Sequence, residues 1–89
     1  MAHMFGRISV GDYTAFRNIF DSHEAMRQAA GVTGKAVFRS VDNPNEVTVR
    51  LDFPTVEAAK AFAASDGPKA AMQKAGVQGP PTTWFVDAT

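Results

Sequence analysis

Eighty-nine residues, 45% of them hydrophobic, make room for one hydrophobic core and leave no length for a second. Nine basic residues balance nine acidic ones, which argues against a nucleic-acid-binding domain, since a phosphate backbone selects a clear basic excess. There is no cysteine, so disulfides, thiolate metal sites and a cysteine nucleophile are all excluded.

Met1-Ala2-His3 precede a second methionine, Met4. They read as an expression scar ahead of a single domain over 4–89, and His3 is set aside from the site argument. Residues 4–10 are short and partly β-branched and end in Gly11-Asp12, which predicts a strand followed by a turn. Asp12 suits the N-cap of a helix over 13–30, with Gly31 where a left-handed C-terminal residue belongs. Phe16, Ile19, Phe20, His23, Met26 and Ala30 recur at spacings of three and four and define its apolar stripe. Arg17, Asp21, Glu24 and Gln28 fall on the other side, which makes Asp21 and Glu24 solvated-face charges.

Two strands follow, over 35–41 and 46–53, joined by the turn-forming Asp42-Asn43-Pro44-Asn45. In the second, Val47, Val49, Leu51 and Phe53 alternate with Glu46, Thr48, Arg50 and Asp52, so one face is core and the other polar. Thr55 can cap a helix that buries Val56, Ala59, Phe62 and Ala63. Asp66-Gly67-Pro68 ends or kinks it, a short helix continues through Ala75, and Gly76 closes it. Gly79-Pro80-Pro81 reads as a stiff connection into a last strand over 82–86. The order is β-α-β-β-α-β, and with right-handed crossovers it gives a ferredoxin-like α+β fold: a four-stranded antiparallel sheet with both helices on one face.

The other face is expected to be covered as well. Val37 and Phe38, Trp84 and Phe85, and Met4 and Phe5 are adjacent apolar pairs, so three strands carry apolar groups on both faces. A second layer, most simply a homodimer, accounts for them. No apolar run is long enough to span a membrane and no signal-peptide pattern is present, so a soluble, cytoplasmic domain is expected, with neither nucleic acid nor membrane as partner.

His23 is the main candidate for chemistry: histidine titrates near neutrality and can serve as a general acid or base. It could equally pack between Phe20 and Met26, bonded to a neighbour. Arg27 lies one turn beyond and can reach the same space or lie at the surface near Glu24. Arg50 either pairs with Asp52 or binds a substrate carboxylate. Phe20, Phe38, Phe62 and Trp84 can wall a pocket for a flat organic ligand, with Tyr13 at its mouth, or fill the core. No nucleotide-binding glycine pattern, nucleophile elbow or multi-histidine metal set occurs. Any catalysis therefore leans on the substrate's own reactivity.

Val10-Gly11-Asp12-Tyr13, the segments over 20–27 and 29–32, and the later stretches 42–47, 58–63 and 75–81 together resemble the dimeric α+β barrel proteins. Within that superfamily the chain is most similar to the antibiotic-biosynthesis-monooxygenase-like group, whose members often carry the label "cyclase". The resemblance implies a dimer through facing sheets and a pocket for a small aromatic or polyketide-like molecule. It also implies cofactor-independent monooxygenation or cyclisation, with no cofactor, and matches the "cyclase"-labelled relatives at His23 and Arg27. Haem-degrading members use an asparagine in the first strand and a histidine in the second half of the chain. Both are missing here, so the resemblance does not extend to haem oxygenation.

Overall fold

A computed structural model describes residues 1–89. The elements are β1 (Ala2–Val10), α1 (Tyr13–Ser22), α2 (Glu24–Ala29), β2 (Gly34–Arg39), β3 (Glu46–Phe53), α3 (Val56–Ala64), α4 (Asp66–Lys74) and β4 (Val77–Asp87). The strands form one antiparallel sheet in the order β2-β3-β1-β4. With each helical segment counted as one crossover, this is the expected ferredoxin-like α+β arrangement.

Local chemistry sets the boundaries. The Asp12 carboxylate accepts from the amides of Thr14 at 2.9 Å and Ala15 at 3.3 Å and starts α1; the Thr55 hydroxyl accepts from Ala58 N at 3.1 Å and starts α3. Gly31 and Gly76 close the two helical segments at φ of 95° and 76°, where a side chain would clash with the backbone.

Four boundaries differ from expectation. The helix over 13–30 breaks at His23 (φ −98°, ψ 13°), where the Ser22 hydroxyl and the His23 ring both bond the Ile19 carbonyl and compete with the helical ladder. Ala30, at the end of the expected stripe, is exposed. β2 stops at Arg39 because the Ser40 hydroxyl accepts from the amides of Asp42 and Asn43 and turns the chain early, leaving Val41 exposed. β4 starts at Val77: Gly79-Pro80-Pro81 form an irregularity inside the strand, between the Arg7–Thr82 and Ser9–Gln78 pairs, where the prolines have no amide to donate. β1 takes in Ala2, which is buried beside Phe53, and His3.

The register separates the two faces. Met4, Gly6, Ile8 and Val10 stand opposite Leu51, Val49 and Val47 of β3 or Phe85, Thr83 and Val77 of β4, and this inner face carries the helices. Two core clusters form on it. Ile8, Val10, Phe16, Val47 and Ala75 make one, and Leu51, Phe53, Ala59 and Phe62 the other. Phe20 and Val49 pack against both. The outer face bears Phe5 stacked on Trp84, ring centroids 5.5 Å apart, together with Phe38 and Val86. Phe38 is 50% exposed and Trp84 40%.

Candidate functional site

Between the two core clusters the inner face does not close. A cavity of about 140 Å³ lies there, and thirteen of its nineteen lining residues are hydrophobic. Gly6 explains its position: an added Cβ would meet nothing within 4 Å, so midway along β1, opposite Val49 and Thr83, a side chain's worth of space is left open. Sequence reasoning passed over Gly6, although a lone glycine inside an apolar strand is itself a signal of unusual packing.

His23 and Arg27 are the only ionisable residues on the cavity wall, and Thr83 supplies its only side-chain hydroxyl. His23 comes from the break between α1 and α2. Its Nδ1 lies 2.9 Å from the Ile19 carbonyl oxygen. A carbonyl only accepts, so Nδ1 carries a proton, and in the neutral ring Nε2 keeps the lone pair. Ser22 Oγ, 3.2 Å from Nδ1, already donates to the same carbonyl at 2.7 Å and does not alter that choice. The arrangement fixes the ring through Nδ1 and leaves Nε2 without a hydrogen-bond partner.

The sequence left Arg27 either in His23's space or at the surface near Glu24. It is in His23's space: Arg27 is 4% exposed, the one charged residue among the buried set. Its guanidinium carbon sits 3.8 Å from the centroid of the Phe20 ring, a cation–π contact with water excluded. Nη2 donates to Glu24 Oε2 at 2.9 Å, and Lys35 Nζ donates to the same oxygen. Glu24 is therefore no simple solvated-face charge. Hydrogen bonds from Lys35 and then Arg27 hold its carboxyl below the usual carboxylate range. Arg27 Nε is buried and has no hydrogen-bond partner.

Phe20 and Phe62 also line the cavity, with Phe62 backed by Phe53 at 5.5 Å between centroids. Phe38 and Trp84, expected among its walls, stand on the outer face. Val37 pairs with Val49 and Phe85 with Met4 across the inner face, so alternation turns their neighbours outward. Tyr13 is not at the cavity mouth either: it packs on Phe16 and beneath the Arg39 guanidinium, 4.0 Å away. Arg50 makes the expected ion pair, Nε to Asp52 Oδ1 at 3.0 Å, and His3 Nδ1 reaches the same carboxylate at 2.6 Å. This trio belongs to the outer face. No group of three or more His, Cys, Asp or Glu gathers as a metal would require, and no helix is long and apolar enough to cross a membrane.

No family model and no curated protein matches the sequence. Solved structures do match. A presumptive antibiotic biosynthesis monooxygenase from Bordetella bronchiseptica superposes with a TM-score of 0.85 at 20% identity, over 99% of this chain and 96% of that one. SnoaB, a cofactor-independent oxygenase from Streptomyces nogalater, superposes with a TM-score of 0.79 at 15% identity, over 99% and 92% of the two chains. A second presumptive monooxygenase of this kind, from Caulobacter crescentus CB15, gives 0.77 at 20% identity over 99% and 89%. With the β2-β3-β1-β4 sheet and its one-sided helices, these superpositions show that the chain has the ferredoxin-like α+β fold of the antibiotic biosynthesis monooxygenase-like proteins.

Proposed function

We propose that this chain binds a small aromatic or polyketide-like molecule in the inner-face cavity and oxygenates it without a cofactor, His23 acting as general base. The observation that carries the reading is the His23 ring itself, locked through Nδ1 to the Ile19 carbonyl with Nε2 unbonded, in the wall of a mainly apolar cavity. The fold shared with SnoaB, a cofactor-independent oxygenase, supports it. In such chemistry Nε2 takes a proton from an acidic phenol, enol or activated methylene, and the resulting carbanion supplies the electrons that reduce dioxygen. One oxygen atom ends as the new carbonyl; the other leaves as water with two hydrogens of the substrate, both from a methylene, or one from the O–H and one from the attacked C–H of a phenol or enol. Apolar walls suit this step because they exclude water from the carbanion.

The reading includes a homodimer. The sheet face that no helix covers bears apolar groups on both sides of β3, the Phe5–Trp84 stack with Val86 on one and Phe38 on the other, and a second copy of the same sheet would cover them.

The test is oxygen uptake with a panel of hydroquinones, alkylphenols and naphthols, comparing wild type with His23→Ala. Loss of a general base lowers the rate by roughly a hundredfold or more, with thermal stability retained. A rate within twofold of wild type removes His23 from catalysis.

A second reading, a non-catalytic binding or assembly module, is favoured by one feature: the His23–Ile19 bond sits at the helix break and has a structural use of its own. In that case no substrate drives oxygen uptake, and His23→Ala lowers stability while leaving ligand affinity unchanged.

A further inference from the structure

Arg27 is the second polar element of the cavity, and the proposal above gives it no task. A guanidinium 4% exposed loses most of its hydration and needs compensation. Glu24 compensates in part, but the same carboxylate oxygen also receives Lys35. Two cations share one anion, so the cluster keeps one positive charge in excess. Arg27 Nε, buried and unbonded, is the donor with nothing to donate to.

Size narrows what could sit beside it. Cavities for drug-sized ligands run to about 300–1,000 Å³. This one holds about 140 Å³, close to the roughly 150 Å³ of an engineered cavity that takes a single benzene. That volume matches one ring. We propose that the cavity is a site for a single aromatic ring bearing an ionised acidic oxygen, with Arg27 as the anion's counter-charge and Phe20, Phe62 and Leu51 around the ring. This rests on the reading of the cavity as a ligand site and names the class of ligand, without depending on catalysis by His23.

The experiment is calorimetric titration with salicylate, its neutral counterpart salicylamide and the three-ring anthraquinone-2-carboxylate. Salicylate is expected to bind at least tenfold more tightly than salicylamide, and anthraquinone-2-carboxylate not at all. Arg27→Met should cost salicylate at least tenfold and leave salicylamide unchanged. Because removal of a buried arginine can unsettle the fold, Glu24→Gln gives a second reading with Arg27 in place: freed from its competing carboxylate, Arg27 should bind salicylate several-fold more tightly. Equal affinity for acid and amide, tight binding of the fused rings, or weaker salicylate binding in Glu24→Gln would each overturn the proposal. The oxygenase reading fails separately. If salicylate binds through Arg27 but no panel compound drives oxygen uptake, the anion site stands and catalysis falls. If uptake occurs and Arg27→Met leaves it unchanged, catalysis stands and the anion site falls.

Discussion

Gly6→Val offers a direct test of the cavity, because it changes the void without touching a polar group. Gly6 lies on the inner face of β1, its backbone is outside the positive-φ region, and a new Cβ meets nothing within 4 Å. Residual cavity volume costs about 24 cal/mol per Å³, so filling all 140 Å³ corresponds to about 3 kcal/mol. The three carbons of a valine side chain fill roughly a third to a half of it, a gain of about 1–1.5 kcal/mol. Replacing a glycine inside a strand adds about 0.5–1 kcal/mol. The sum is a stabilisation of about 2 kcal/mol, which for a domain of this size raises Tm by about 8–16 °C. Most single substitutions destabilise, so the sign alone is informative. The same valine occupies the ring's place, and salicylate affinity should fall at least tenfold, while Gly6→Ala gains about 0.5–1 kcal/mol and keeps most of the binding. Thermal and urea unfolding followed by circular dichroism, with calorimetry on the same samples, measure both effects. A Gly6→Val protein that melts below wild type, or binds salicylate as well, would refute the argument that the missing side chain makes the site.

Two other predictions concern charge and assembly. The Glu24 carboxyl is held below its ordinary pKa of 4.5 by Lys35 and Arg27, so its ion pairs contribute stability above that ordinary value and lose it as pH falls through the lower, folded-state value. The stability gap between wild type and Glu24→Gln in urea titrations should therefore hold steady from neutrality to about pH 5 and close below the ordinary carboxylate range. A gap that stays constant far into acid would contradict the pairing. On the outer face, Trp84→Glu places a charge in the Phe5–Trp84 stack and should convert a dimer to a monomer in light scattering, while salicylate binding persists. A wild-type protein that is already monomeric at high concentration would remove the dimer from the proposed function.

Much of the fold was legible because the signals were local. Asp12 and Thr55 bond the first turns they were expected to cap, and Glu46–Phe53 alternates so cleanly that both faces of β3 follow from its composition. The site was harder. His23 and Arg27 share a helical face by spacing, but spacing does not say that Arg27 is buried or that its partner Glu24 is shared with Lys35, eleven residues away on a different element. Phe38 and Trp84 were misplaced for a related reason. When two adjacent strand residues are both apolar, neither alternation nor propensity says which one faces the helices; only pairing to a strand of known polarity does. β3 is that strand: Val37 opposite Val49 and Met4 opposite Leu51 carry its orientation outward, and Phe85 opposite Met4 completes it.

That division of faces separates the two tasks proposed here. Gly6, Phe20, His23, Arg27 and Phe62 lie around the cavity on the inner face, while Phe5, Phe38, Trp84 and the His3–Asp52–Arg50 trio lie on the outer one. The four-stranded sheet stands between them, so no side chain on the list serves both. Distant residues without shared partners contribute independently. A substitution on the outer face should accordingly alter assembly without altering the ring site, and one at the cavity should do the reverse. Combining Trp84→Glu with Gly6→Val tests this directly. Additive effects mean that one sheet presents two independent surfaces. If instead loss of the dimer abolishes ligand binding, the sheet transmits the state of one face to the other, and the cavity has its binding shape only in the assembled protein.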